Sequence, residues 1–125
     1  MNGILLVNHL LKGEKYSTLH NHLVSAAKKC SINLDIKTNL ELATQKANAD
    51  FVLFWDKDIN LAKRLEKSNI PVFNSAIAIE KCDDKGLTYI ELDKIVPQPK
   101  TLISPKCYFK SDMSEFVKKA IDILG

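Results

Sequence analysis

Glycine is scarce in this chain: Gly3, Gly13, Gly86 and Gly125 are the only four among 125 residues. That excludes the two phosphate-cradling loops built on closely spaced glycines, G-x-G-x-x-G and G-x-x-x-x-G-K-[ST], because backbone approaches a phosphate closely only where no Cβ intervenes. Cysteine is sparse too. Cys30, Cys82 and Cys107 lie far apart without a C-x-x-C pair, which excludes a disulfide framework and a zinc ribbon and fits a reduced, cytoplasmic setting. No long apolar run is present: the first, Ile4 to Val7, stops at Asn8 and His9, too short for a signal core or a membrane span. An excess of one charge is also missing. The formal net charge is +3, from scattered lysines alternating with acids, so neither nucleic acid nor a membrane surface is an expected partner.

What the chain does have is enough length and apolar content for one core, with 46% of its residues hydrophobic. Ile4 to Val7 and Phe51 to Trp55 are unbroken apolar runs, the mark of strands buried on both faces of a parallel sheet. Ile32, Leu34 and Ile36 alternate with Asn33, Asp35 and Lys37, as in a strand at a sheet edge. Ile70 to Phe73 supplies a fourth strand, with Pro71 tolerated at its start.

Helices fall between these runs. Tyr16, Leu19, Leu23, Ala26, Ala27 and Cys30 form one greasy stripe, and a shorter helix is expected around Leu40 to Ala47. Asp58 or Asn60 starts a helix carrying Leu61, Ala62 and Leu65; Ser75, then Asp83 or Asp84, start two more. Pro97-Gln98-Pro99 reads as an extended connector to a short strand, Thr101 to Ser104. Ser111 or Asp112 then caps a last helix with Met113, Phe116, Val117, Ala120, Ile121 and Leu124 on one face and Gly125 just past its end. The pattern predicts an α/β fold: a three-layer, doubly wound, mainly parallel sheet of about four strands, with ligands at the carboxyl ends of the strands.

Asn8, His9, Asp56, Asn74 and Ser75 each follow a strand at that end and are the candidate substrate-binding residues. Helix capping is the competing role for Asn74 and Ser75, and capping or simple solvation for Asp56. His20 and His22 do not form a metal pair, since two residues apart on a helix they point about 200° away from each other. Asp56 also stands where a receiver-like signalling domain carries its phosphoacceptor, but that chemistry needs acids after the first strand to hold Mg²⁺, and Asn8 and His9 are there instead.

The most informative segment is Pro-Val-Phe-Asn-Ser at 71 to 75, Ala78-Ile79, Cys82-Asp83-Asp84-Lys85, Leu87-Thr88 and Pro97-Gln98-Pro99-Lys100-Thr101. Here, and around Asn8, Lys15-Tyr16, Lys37-Thr38-Asn39 and Phe51 to Asp58, the chain resembles ATP-grasp ligases of the RimK-like α-glutamate ligase group. The resemblance implies that residues 1–96 are a pre-ATP-grasp α/β domain. Residues 97–125 would be a connector strand and helix leading to an ATP-grasp domain that the chain lacks, together with its glycine-rich lid and Mg²⁺-binding acids. It implies a ligase that joins a small-molecule or peptide carboxylate to an amine through an acylphosphate, using ATP and Mg²⁺, with this chain inactive alone. By the same resemblance Lys85 would approach the nucleotide phosphates. A stand-alone binding or dimerisation module is the alternative, and the apolar stripe of the last helix makes a homodimer one assembly to test.

Overall fold

The computed structural model describes residues 1–105 and 109–125, the side chain of Asp112 excepted; Cys107 lies outside the described residues. The chain divides into two compact units, Met1–Asp83 and Asp84–Gly125.

The first unit holds a four-stranded, all-parallel sheet in the order β2-β1-β3-β4, made of β1 (Asn2–Val7), β2 (Asn33–Thr38), β3 (Phe51–Trp55) and β4 (Val72–Phe73). The two unbroken apolar runs are therefore the two central strands, and the alternating run is an edge, as its period required. Gly3 pairs with Leu34 on one side and Phe51 on the other. A Cβ there would stand 2.4 Å from the Phe51 ring, so the ring occupies the space that a side chain at position 3 would need.

Alternation along the strands sorts two faces. Ile4, Leu6, Val52 and Phe54 pack with Leu42 of α2 (Asn39–Thr44), Leu61, Ala62 and Leu65 of α3 (Ile59–Lys67), and Ala76 and Ile79 of α4 (Ala76–Asp83). On the opposite face lies α1 (Glu14–Lys29), whose His20 is buried with its ring edge-on to Trp55, 6.4 Å between centroids, while His22 is exposed. The result is a three-layer α/β unit. Its connections are closed by local hydrogen bonds. Ser31, left-handed at φ 59°, ends α1 while Ile32 N–H bonds back to Ala27, a helix stop usually made by glycine. Arg64 of α3 donates to the Leu42 and Ala43 carbonyls at the end of α2.

The start of α2 is a capping box. Glu41 N–H donates to Thr38 Oγ1 at 3.2 Å, and Thr38 N–H and Oγ1 both donate to Glu41 Oε2 at 2.7 Å. The Thr38 backbone N–H, then its hydroxyl, pull the Glu41 carboxyl from an ordinary 4.5 down to about 2, with a smaller contribution from Lys12. A carboxyl held below its unfolded value adds stability above the unfolded pKa and loses it as pH falls toward the folded one. Between pH 4.5 and 2 the protein should therefore lose a contribution that Glu41→Gln never has. Acid titrations of thermal stability on the two proteins should converge at the low end of that window.

The second unit holds α5 (Lys85–Leu92) and α6 (Lys110–Leu124). Asp84 caps α5 through Leu87 N–H at 3.0 Å, Gln98 Nε2 donates to the Tyr89 carbonyl at 3.1 Å, and Lys100 donates to the Ile123 carbonyl. Two expectations change here. Residues 101–105 form no strand: prolines at 97, 99 and 105 lack ladder donors, and the Thr101 hydroxyl is taken up locally by the Pro99 carbonyl at 2.9 Å. The last helix also begins earlier than the Ser111 or Asp112 cap, at Lys110, with Phe109 in the capping position and no side-chain cap bond. Gly125 does close it in the left-handed region, φ 93°. Of the expected stripe along α6, Phe116 and Ala120 are half-buried, whereas Met113, Val117, Ile121 and Leu124 are exposed.

Candidate functional site

In the sheet order β2-β1-β3-β4, the chain leaves β1 toward one edge and returns to β3 on the other side. That reversal opens a crevice between the carboxyl ends of β1 and β3, where doubly wound sheets bind ligands. A cavity of about 630 Å³ lies there, within the size range of small-molecule sites. Asn8 after β1, Asp56 after β3 and Asn74 after β4 all line it.

Local structure fixes each of them. Asn8 Oδ1 accepts from Leu10 N–H at 3.0 Å, capping the 3-10 turn His9–Leu11, and this aims the amide nitrogen at Asp56 Oδ1, 3.2 Å away. Asp56 Oδ1 also accepts from Lys57 N–H at 2.6 Å. Its other oxygen, Oδ2, is sealed from solvent with no hydrogen-bond partner, the one such side-chain atom among the described residues. Asn74 Nδ2 donates to the Phe54 carbonyl at 3.4 Å, tying the end of β4 to β3.

The other sequence candidates fall elsewhere. His9 does not line the cavity; its backbone N–H and ring Nδ1 both lie 3.0 Å from Asn39 Oδ1, which turns it toward the β2 side. Ser75 performs the capping role, its Oγ accepting from Ala78 N–H at 3.3 Å. Lys85 is exposed at the first position of α5, in the second unit. The space at Gly86 is bounded by the Asp84 carboxylate, 3.1 Å from a would-be Cβ, and by Ile103.

Several cavity residues were given no site role by the sequence, although four of them lie in the segment that carries the resemblance. Ala78, Ile79, Cys82 and Asp83 form one wall, and their spacing of one, three and one along α4 was the available signal, since such residues share a helix face. Lys57 is paired with Asp83 at the rim. The rest is apolar, from Leu10, Leu11, Phe54 and Trp55. A second hollow of about 590 Å³ borders residues 43–49 beside α3. Thr44, Gln45, Lys46, Asn48 and Ser68 line it together with Arg64, whose guanidinium bonds the carbonyls at the end of α2, and none of these was a sequence candidate.

The lining of the first cavity suits a small amphipathic molecule. It does not suit a triphosphate, because among the described residues its one cation, Lys57, is paired with Asp83 and phosphates need several free donors or cations. Among the described residues no group of three His, Cys, Asp or Glu side chains is placed to hold a metal ion, and no helix is long and apolar enough to cross a membrane.

No family model matches the chain, and no solved structure matches it. It is similar to the uncharacterized protein MG012 of Mycoplasma genitalium, 35% identical over 92 residues, which are 67% of this chain and 32% of that protein. It is also similar to the MG012 homolog of Mycoplasma pneumoniae, likewise uncharacterized, 31% identical over 109 residues, 78% of this chain and 38% of that protein. The chain thus spans about a third of the length of the curated relatives it matches.

Proposed function

We propose that the chain is the substrate-side domain of an ATP-dependent carboxylate–amine ligase and is silent by itself. The observation that carries this reading is the convergence of Asn8, Asp56 and Asn74, from three separate strand ends, on one cavity at the switch point of the sheet. The resemblance over residues 71–105 supports it. So does the length of the relatives, about two-thirds of which lies outside the shared stretch and is ample for a nucleotide-using domain. The reaction would activate a carboxylate as an acylphosphate and pass it to an amine. In that division of labour the switch-point cavity holds a reactant, and the triphosphate it does not fit is held elsewhere, with Lys85 as this chain's contribution: an exposed ammonium on a flexible stem.

The test uses the full-length Mycoplasma genitalium relative and a chimera in which this chain replaces the matching third. Both should form ADP only when a carboxylate and an amine are supplied together, and the chain alone should form none. A full-length protein that makes no ADP with any such pair would remove the reading. In the active chimera, Lys85→Ala is expected to raise KM for ATP about tenfold, the loss of one charge-assisted contact of about 1.5 kcal/mol, with thermal stability unchanged. An unaltered KM takes Lys85 out of the site.

A further inference from the structure

Resting on that reading, we infer that the switch-point cavity receives the amine reactant rather than the carboxylate, as a primary ammonium on a short aliphatic body, with Asp56 as its anchor. Among the ionisable side chains lining the cavity are Asp56, Asp83 and Lys57, and Lys57, the one lysine or arginine among the described lining residues, is paired with Asp83. What remains is one carboxylate. Asp56 Oδ1 is already satisfied by Asn8 and Lys57 N–H, whereas Oδ2 has no donor although water cannot reach it. An orphaned buried acceptor is unfavourable until a donor arrives, and a charged donor suits a carboxylate best.

A carboxylate ligand would meet the opposite circumstances: a like charge at Asp56 and no free cation. Asn74 and Asn8 are positioned by their own bonds to Phe54 and Asp56, so neither offers a charge to offset that repulsion. Beyond the polar end, Leu11, Phe54, Ala78 and Ile79 supply an apolar wall of aliphatic length. Two side chains of the cavity lining, Leu10 and Lys57, are each 77% exposed, so side-chain rotation at this surface, with the core left in place, is what brings a donor to Oδ2.

Titration calorimetry of the intact chain at pH 7 with 3-methylbutylamine, 3-methylbutanol and 4-methylpentanoate tests the polarity. The amine should bind at least tenfold more tightly than the alcohol or the acid, and Asp56→Asn should bring it down to the level of the alcohol. Should Asp56→Asn fold poorly, alkylation of Cys82, an exposed thiol in the same wall, replaces it in a Cys30→Ser/Cys107→Ser background: the amine should slow the reaction and the acid should not. Leucine and Leu-Gly then separate a free amino acid from a peptide N-terminus as the source of the ammonium. Equal or tighter binding of the acid, or amine binding indifferent to Asp56→Asn, overturns the inference. Preference for the acid would leave the ligase reading standing with its reactants exchanged, whereas failure of ADP formation in the full-length relative removes that reading without touching an amine-selective cavity.

Discussion

Phe54→Ala should destabilise the first unit by about 3–5 kcal/mol, a large fraction of its stability. Phe54 is 1% exposed and sits on the core face of the central strand β3, in one cluster with residues of α3 and α4 and at the floor of the cavity. Truncation removes most of a large aromatic ring and leaves a void that three flanking helices, fixed by the Arg64 bonds to α2 and the Ser75 cap of α4, cannot collapse to fill. A unit of this size has only about 4–12 kcal/mol in total. Urea denaturation gives the comparison that matters. Leu53, one residue away, points to the opposite face and is only partly buried, with exposed neighbours Trp55 and Phe73. Leu53→Ala should therefore lose about 1–2 kcal/mol, the transfer of a half-buried side chain. Equal losses at the two positions would mean that the faces are equally packed, contrary to the layer arrangement described above.

The difference between those faces also bears on what the sequence disclosed. Strand order was readable from the runs: Ile4 to Val7 and Phe51 to Trp55 are central and the alternating Ile32 to Ile36 is an edge. Burial on both faces, however, holds only for β1, since in β3 Phe51 and Leu53 are partly buried and Trp55 is exposed. Caps were readable in part: Ser75 caps as expected, and Asp58 and Asp84 are the members of their two pairs of alternatives that cap, whereas Thr38 and Asn8, which also cap their own first turns, were not read as caps. Three of five substrate candidates reached the cavity because position after a strand is set by chain order alone. What the pattern could not convey was side-chain direction after the strand ends. His9 turns away because Asn39, thirty residues on, offers it an acceptor, and no local rule links the two. Nor does any local rule link Lys57 to Asp83. The strand at Thr101 to Ser104 failed for a related reason: local propensity marks an extended segment, but a strand exists only with a partner ladder, and the described residues offer none there.

Asn8→Asp asks why an amide rather than an acid follows β1, and it should destabilise the protein at neutral pH by about 2–4 kcal/mol. The new side chain can still cap Leu10 through one oxygen, so the turn His9–Leu11 is kept. Its other oxygen replaces the nitrogen that now donates to Asp56 Oδ1 at 3.2 Å. Two like charges at that separation repel by a few kcal/mol at an effective dielectric near 20, and one carboxyl of the pair is pushed above its unfolded value. A carboxyl raised in the folded state contributes no penalty below the unfolded pKa of about 3.9 and an increasing one as pH rises to the folded value. The melting temperature of Asn8→Asp should accordingly approach that of the native protein near pH 4 and fall behind it by pH 7. Millimolar Mg²⁺ should recover part of the loss, since two adjacent carboxylates are the beginning of a divalent cation site. The double variant Asn8→Asp/Asp56→Asn restores one amide and one acid across the same 3.2 Å contact and should regain most of the stability. If it does not, the Asn8–Asp56 bond is not what sets the charge of this cavity, and the anchoring role of Asp56 falls with it.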